Sequence, residues 1–193
     1  MIEKEALRGA FKSVLPSNYV RIVPNRGWDS IPYRKENIRR LVNWKRGGNM
    51  SSPTGDIPKE VYVLYFGDYD PTGTAMSYKI EQWLKQEGIN FVRKALNHDQ
   101  ISIYGLDHLR NPDPNVAAKL RRDTNRHRFK AENDGELFQI EIDAIQKNPK
   151  QFSELVINSV DAYYDESINQ KNLKEFTPKK INAYVKKKVK FID

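Results

Sequence analysis

Along residues 1–96 the apolar positions switch between helical spacing and short continuous runs, which predicts helices interleaved with strands. Met1–Glu3 is the stub of a strand. Ala6, Leu7, Ala10, Phe11 and Val14 recur at helical spacing, and Pro16-Ser17-Asn18 ends that helix. Tyr19–Pro24 is strand-like. A second helix carries Ile38, Leu41, Val42 and Trp44, stops at Gly47-Gly48 and leads into a polar loop over Asn49–Lys59. Val61–Phe66 is a continuous apolar, β-branched and aromatic run, as expected of a strand covered on both faces of a parallel sheet. A third helix follows, with Met76, Ile80, Trp83 and Leu84 on one face and Gly88 as its stop, and Asn90–Leu96 reads as a fourth strand. The order β-α-β-α-β-α-β predicts an open α/β fold with a four-stranded parallel sheet between helices.

From Asn97 the pattern changes. Asn111-Pro112-Asp113-Pro114 reads as a loop, Val116–Lys130 as a basic stretch of helical character, and Glu136–Ile145 as an apolar–acidic alternation. Gln151–Tyr164 and Pro178–Lys190 read as helices. These observations divide the chain into a core over 1–110 and a helical, basic C-terminal extension over 111–193 that packs on the core.

Composition narrows the chemistry. The chain has 193 residues, 33 Lys+Arg against 25 Asp+Glu, a formal charge of +8 and no cysteine. The missing cysteine excludes disulfides, thiolate zinc sites and a cysteine nucleophile. No run approaches the ~18 apolar residues of a membrane span, so no membrane partner is expected. The basic balance favours a polyanion such as nucleic acid, and ordinary lysine-rich solubility accounts for it equally well.

Asp68 and Asp70 follow the strongest strand, at the edge where open α/β sheets bind ligands. Period two turns both carboxylates to one side, and two such groups resist dual ionisation unless a cation sits between them. Mg²⁺ suits them, because it takes one or two carboxylates and leaves positions for phosphate oxygens. The pair taken alone also fits a helix cap before Pro71-Thr72-Gly73. Glu3 ends the first strand on the same edge. With strands one and three adjacent it faces the aspartates across ~4.8 Å, as a third metal-site carboxylate or a proton-transfer group.

Three blocks in this order resemble the Toprim domain of the topoisomerase VI A subunit and Spo11-like proteins. They are Met1-Ile2-Glu3-Lys4-Glu5-Ala6-Leu7, Asn25-Arg26-Gly27-Trp28-Asp29-Ser30 and Leu64-Tyr65-Phe66-Gly67-Asp68-Tyr69-Asp70-Pro71-Thr72-Gly73. Gln139–Ile145 resembles a further Glu-Leu-Asp-Ala-Leu segment. The resemblance implies a four-stranded parallel, Rossmann-like Toprim sheet holding Mg²⁺, with Mn²⁺ as a substitute, for phosphodiester cleavage and rejoining on DNA. It implies Glu3 as the acid/base and metal-linked glutamate and Asp68 and Asp70 as the metal-holding pair. Lys4 and Arg26 match basic positions that would contact phosphate, and a solvated lysine and a salt-bridged arginine explain them as well. Glu141 and Asp143, in the late block, stay outside the catalytic set.

Enzymes of that kind carry a nucleophilic tyrosine on a winged-helix domain ahead of the Toprim domain. None of the ten tyrosines here lies in a matching context, so the expectation is a piece of a longer protein. Arg121, Arg122, Arg126 and Arg128 form the better DNA candidate, since guanidinium matches phosphate bidentately. The lysines from Lys179 to Lys190 read as a solvated helix face. The expected partners are DNA, an upstream winged-helix domain, an ATPase B-type subunit and a second copy as homodimer, in the cytoplasm on the nucleoid. Two other readings stay open: a free-standing Toprim nuclease that cuts DNA by metal-activated water, and a non-catalytic nucleic-acid-binding module.

Overall fold

The computed structural model describes residues 1–15, 20–24, 31–45 and 60–163. Two strands, β1 (Tyr62–Phe66) and β2 (Asn90–Ala95), pair in parallel, joined by helix α3 (Pro71–Gln86). The stub at Ile2 adds single parallel bridges, to Phe66 on one side and to Pro24 on the other. Glu3 N–H donates to Phe66 O (2.9 Å), Phe66 N–H to Met1 O (2.9 Å) and Ile2 N–H to Val23 O (3.0 Å). The fold is thus mixed α/β with a two-stranded parallel sheet. Of the two further strands expected from the sequence, the described residues show single bridges at Ile2 and Pro24, and Pro24 has no N–H to extend a ladder.

β1 feeds two cores with its two faces, as period two requires. Val63 and Tyr65 pack with Ile38 and Val42 of α2 (Ile31–Lys45) and with Met76, Ile80 and Leu84 of α3. Phe66, with Leu64 partly buried beside it, faces Leu7 and Phe11, which flank a 3₁₀ turn (Glu5–Leu7) leading into α1 (Arg8–Val14). Phe129, Phe138, Ile140, Ile142, Phe152 and Val156 from the second half of the chain complete that core. Phe11 is its hinge, meeting Phe66 and Phe152 edge to face at 4.9 and 5.2 Å.

Beyond β2 come α4 (His98–Ile103), a 3₁₀ turn (Asp107–Arg110), α5 (Pro114–Arg122), α6 (Arg126–Glu132), α7 (Asp143–Gln146) and α8 (Pro149–Asp161). Of the expected loop at residues 111–114, residues 111–113 are non-helical and Pro114 opens α5. Pro114 takes the first helical position and Asp113 accepts from the N–H groups of Asn115 (2.8 Å) and Val116 (3.1 Å). The basic stretch expected as one element breaks at Asp123, whose Oδ1 accepts from Asn125 N–H (2.7 Å) and whose Oδ2 accepts from the Thr72 hydroxyl. The helix expected over Gln151–Tyr164 starts two residues earlier, at Pro149 after the cap Asn148, and ends at Asp161; Tyr164 lies outside the described residues. Among the described residues no helix is long and apolar enough to cross a membrane. The expected helix over Pro178–Lys190, its lysines, the Gly47-Gly48 stop and the Asn49–Lys59 loop lie outside the described residues.

Candidate active site at the C-terminal strand edge

The turn Gly67-Asp68-Tyr69-Asp70 leaves β1 and is held by backbone bonds to both neighbours. Gly67 N–H donates to Ala95 O (2.7 Å), Leu96 N–H to Gly67 O (2.7 Å), and Tyr69 exchanges two bonds with Ile140 (2.9 and 3.1 Å) in an antiparallel bridge. Arg93, from β2, clamps the turn from below. Its guanidinium donates to the carbonyls of Leu96 (2.9 Å), Asp68 (2.5 Å), Gly67 (3.3 Å) and Gly73 (3.4 Å). Burial pulls its pKa below the ordinary arginine value, against the opposing pull of Tyr65, Glu3 and nearby phenol and acid groups. Gly73 is required sterically, since a Cβ there would lie 2.6 Å from the Asp68 carbonyl.

Glu3 turns inward over this edge. Its Oε2 accepts from Asp68 N–H (2.9 Å) and from the Tyr65 hydroxyl (3.2 Å). Gly67 makes room for it: a Cβ at that position would fall 2.3 Å from Glu3 Oε2 and 2.6 Å from the Tyr65 ring. Burial, followed by the charge of Asp68, raises the Glu3 pKa to about 7, with the Asp68 N–H bond working the other way. Glu3 therefore exchanges a proton near neutral pH, which an exposed glutamate does not.

Asp68 is 5 % exposed. Its Oδ1 accepts from Ile142 N–H (2.9 Å), and its Oδ2 is paired with the ammonium of Lys4 at 3.3 Å. Burial outweighs both partners and keeps its carboxyl above the ordinary range. Lys4 also meets Glu141 at 2.9 Å and Asp143 at 3.4 Å. Burial alone would lower the Lys4 pKa, but the Glu141 bond and the charges of Asp68 and Asp143 more than offset this and raise it. Asp70 caps α3, its Oδ1 accepting from Gly73 N–H at 2.6 Å. Burial raises its pKa, the Gly73 bond lowers it, and the charges of Asp123 and Lys119 reach it from the α5–α6 corner.

The structure thus brings Glu3, Asp68 and Asp70 to one edge and within one another's electrostatic reach. Their oxygens are not gathered on a point: among the described residues no three His, Asp or Glu side chains converge as a metal group. Mg²⁺ does not need three, since it is held by one or two carboxylates with waters and phosphate oxygens. Asp68 is buried and Asp70 half-buried, burial holds both carboxyls above their ordinary range, and carboxylate oxygens are the hard ligands such an ion takes.

No family model, curated protein or solved structure matches the chain. The reading of the edge therefore stands on its own residues.

Of the predicted basic residues, Lys4 is engaged by three carboxylates, while Arg121 and Arg122 are exposed at the end of α5. Arg126 donates to the Asp123 carbonyl (3.0 Å). Arg128 lies 5.2 Å over the Tyr78 ring and 3.4 Å from Glu132. Arg26 and the rest of its block lie outside the described residues. Arg93, which neighbours Lys94 in β2, carries no signal in the sequence, and Glu141 and Asp143 stay outside the expected catalytic set. The alternation Gln139-Glu141-Asp143 was the available signal for the latter, because period two places those three side chains on one face.

Proposed function

We propose that this chain is a Toprim-type domain of a topoisomerase VI A- or Spo11-like DNA-processing protein, binding Mg²⁺ and DNA for phosphodiester cleavage and rejoining. The observation that carries the reading is the meeting, on one strand edge, of Glu3 from the first block with Asp68 and Asp70 from the third. Its Glu3 carboxylate accepts the Asp68 N–H across 65 residues of chain. The bridges Pro24–Ile2–Phe66 alongside β1 and β2 support the four-stranded parallel arrangement such a domain has.

In this reading Asp68 and Asp70 hold the ion, which supplies positive charge to the scissile phosphate. Glu3, with its pKa near 7, takes or gives a proton at a sugar or water oxygen. Lys4 and the Ile142 N–H fix the Asp68 rotamer, and Arg93 fixes the turn. The exposed Arg121 and Arg122 neutralise backbone phosphates next to the Asp70 end of the edge, through a corner tied to Thr72 by Asp123. In this reading the nucleophilic tyrosine is supplied by a winged-helix domain, as in the proteins the chain resembles; Tyr65, whose hydroxyl touches Glu3, is fully buried and is not a candidate for it.

Fluorescence anisotropy with a labelled duplex, in Mg²⁺ and in EDTA, tests this. The expected result is salt-sensitive binding that strengthens in Mg²⁺, loses that gain in Asp70→Ala, and cuts nothing. Binding indifferent to both EDTA and Asp70→Ala would leave a non-catalytic nucleic-acid module. Metal-dependent cutting abolished by Asp68→Ala would identify a free-standing nuclease.

A further inference from the structure

Period two along β2 turns Phe91 and Arg93 to one face of the sheet. On that face the strand, helix α3 and helix α6 bound a cleft of about 450 Å³. The volume falls within the ~300–1,000 Å³ of small-molecule sites. Tyr69, the residue between Asp68 and Asp70, also lines the cleft, so the cleft and the aspartate edge share one turn.

The lining suits a neutral, planar guest that forms hydrogen bonds. Tyr69, Tyr78 and Phe91 supply aromatic surface, and Tyr78 is 50 % exposed. The charges of Arg93 and Arg128 are balanced by those of Glu81 and Glu132, so the cleft has no net charge to select an anion or a cation. Arg93 is committed to four backbone carbonyls. Arg128 is held differently. Its guanidinium lies 5.2 Å over the Tyr78 ring, its Nε is buried with no hydrogen-bond partner among the described residues, and Glu132 Oε1 faces that nitrogen at 3.4 Å as an ion pair. A guanidinium positioned by a ring and a charge keeps its N–H fork for a guest.

Such a fork takes two acceptors side by side, and a carboxylate takes two donors side by side. Among the nucleobases only guanine carries both pairs, O6 beside N7 and N1–H beside N2–H₂. We propose that this cleft binds an unpaired guanine base, its ring against the aromatic lining, with Arg128 donating to O6 and N7 and Glu132 accepting from N1–H and N2–H₂. A guanine in a single strand passing the aspartate edge and the base of a free guanine nucleotide both carry this chemistry. The base contacts need no ion and stand apart from the metal reading above.

Fluorescence anisotropy in EDTA tests this with short labelled oligothymidine strands carrying one central guanine or one central adenine, and with GMP and AMP as competitors. The expected result is a guanine strand bound about 5- to 150-fold more tightly than the adenine strand, the range for one bidentate base contact. Arg128→Lys, which keeps the charge and loses the fork, should erase that preference and leave the salt dependence unchanged. Glu132→Gln, at an exposed side chain, should reduce it as well. Competition by GMP and not by AMP would assign the cleft to a free nucleotide; a guanine-preferring strand that GMP does not displace would assign it to DNA. Equal binding of the two strands with GMP inert, or a guanine preference that survives Arg128→Lys, would overturn the proposal. Guanine preference in EDTA with no gain in Mg²⁺ would support the cleft and overturn the ion reading; a Mg²⁺ gain removed by Asp70→Ala, without guanine preference, would do the reverse.

Discussion

Replacing Glu3 by Gln removes a proton-binding site while keeping an amide oxygen to accept from Asp68 N–H and the Tyr65 hydroxyl. Burial and the neighbouring Asp68 raise the Glu3 pKa from 4.5 to about 7. A folded-state pKa above the unfolded one means the folded chain holds the proton more tightly. That contribution to stability is fully present below about pH 4.5 and is lost as pH rises through about 7. The displacement, at about 1.4 kcal/mol per pKa unit, corresponds to about 3 kcal/mol at most. Glu3→Gln should therefore match wild type at pH 4 to within about 1 kcal/mol and exceed it at pH 8 by about 2–3 kcal/mol. Urea unfolding in EDTA, from pH 4 to pH 8, measures this. The buried Met1 amino group, lowered to about 5 by desolvation, gives a slope of the opposite sign over an overlapping window. It is common to both proteins, so the variant-minus-wild-type difference isolates Glu3. A difference that stays flat across the range, or a variant less stable at pH 8, would refute the burial argument.

Gly67→Ala should cost about 1–3 kcal/mol, because its Cβ would displace either the Glu3 carboxylate or the Tyr65 ring; an unchanged urea midpoint would show that the close approach is absent. Phe11→Ala, which opens the contact between Phe66 and Phe152, should cost about 3–5 kcal/mol in the same assay, and a loss under 1 kcal/mol would refute its place at the hinge of that core. Arg121→Ala with Arg122→Ala should reduce the slope of log affinity against log salt for duplex DNA by about 1–2, and an unchanged slope would move the phosphate contacts elsewhere.

Much of this architecture was legible before the fold was known, and the physical reasons are specific. Val61–Phe66 was readable because a strand buried on both faces has no polar phase to confuse, and α3 because Asp70-Pro71 marks a cap and a first helical residue. Glu3 could be set beside Asp68 because both close strand tips on one edge. What stayed hidden depends on contacts over long separations. Lys4 and Glu141 are 137 residues apart, and nothing local says that the alternating 139–143 segment folds back onto Tyr69. Arg93 was hidden because its partners are backbone carbonyls, which carry no sequence identity. The break at Asp123 was missed because a residue that bonds to its own backbone two positions on looks, in composition, like any other charge in a basic helix.

The central claim is that acids from the first and third strand tips form one seat for a divalent cation. A crystal grown in Mn²⁺ and measured for anomalous scattering addresses it most directly. The account predicts a peak between the carboxylates of Asp68 and Asp70, close to Glu3, in wild type, and its disappearance in Asp70→Asn. A well-ordered edge with Glu3, Asp68 and Asp70 in place and no peak at millimolar Mn²⁺, or a peak held by other residues, would contradict it.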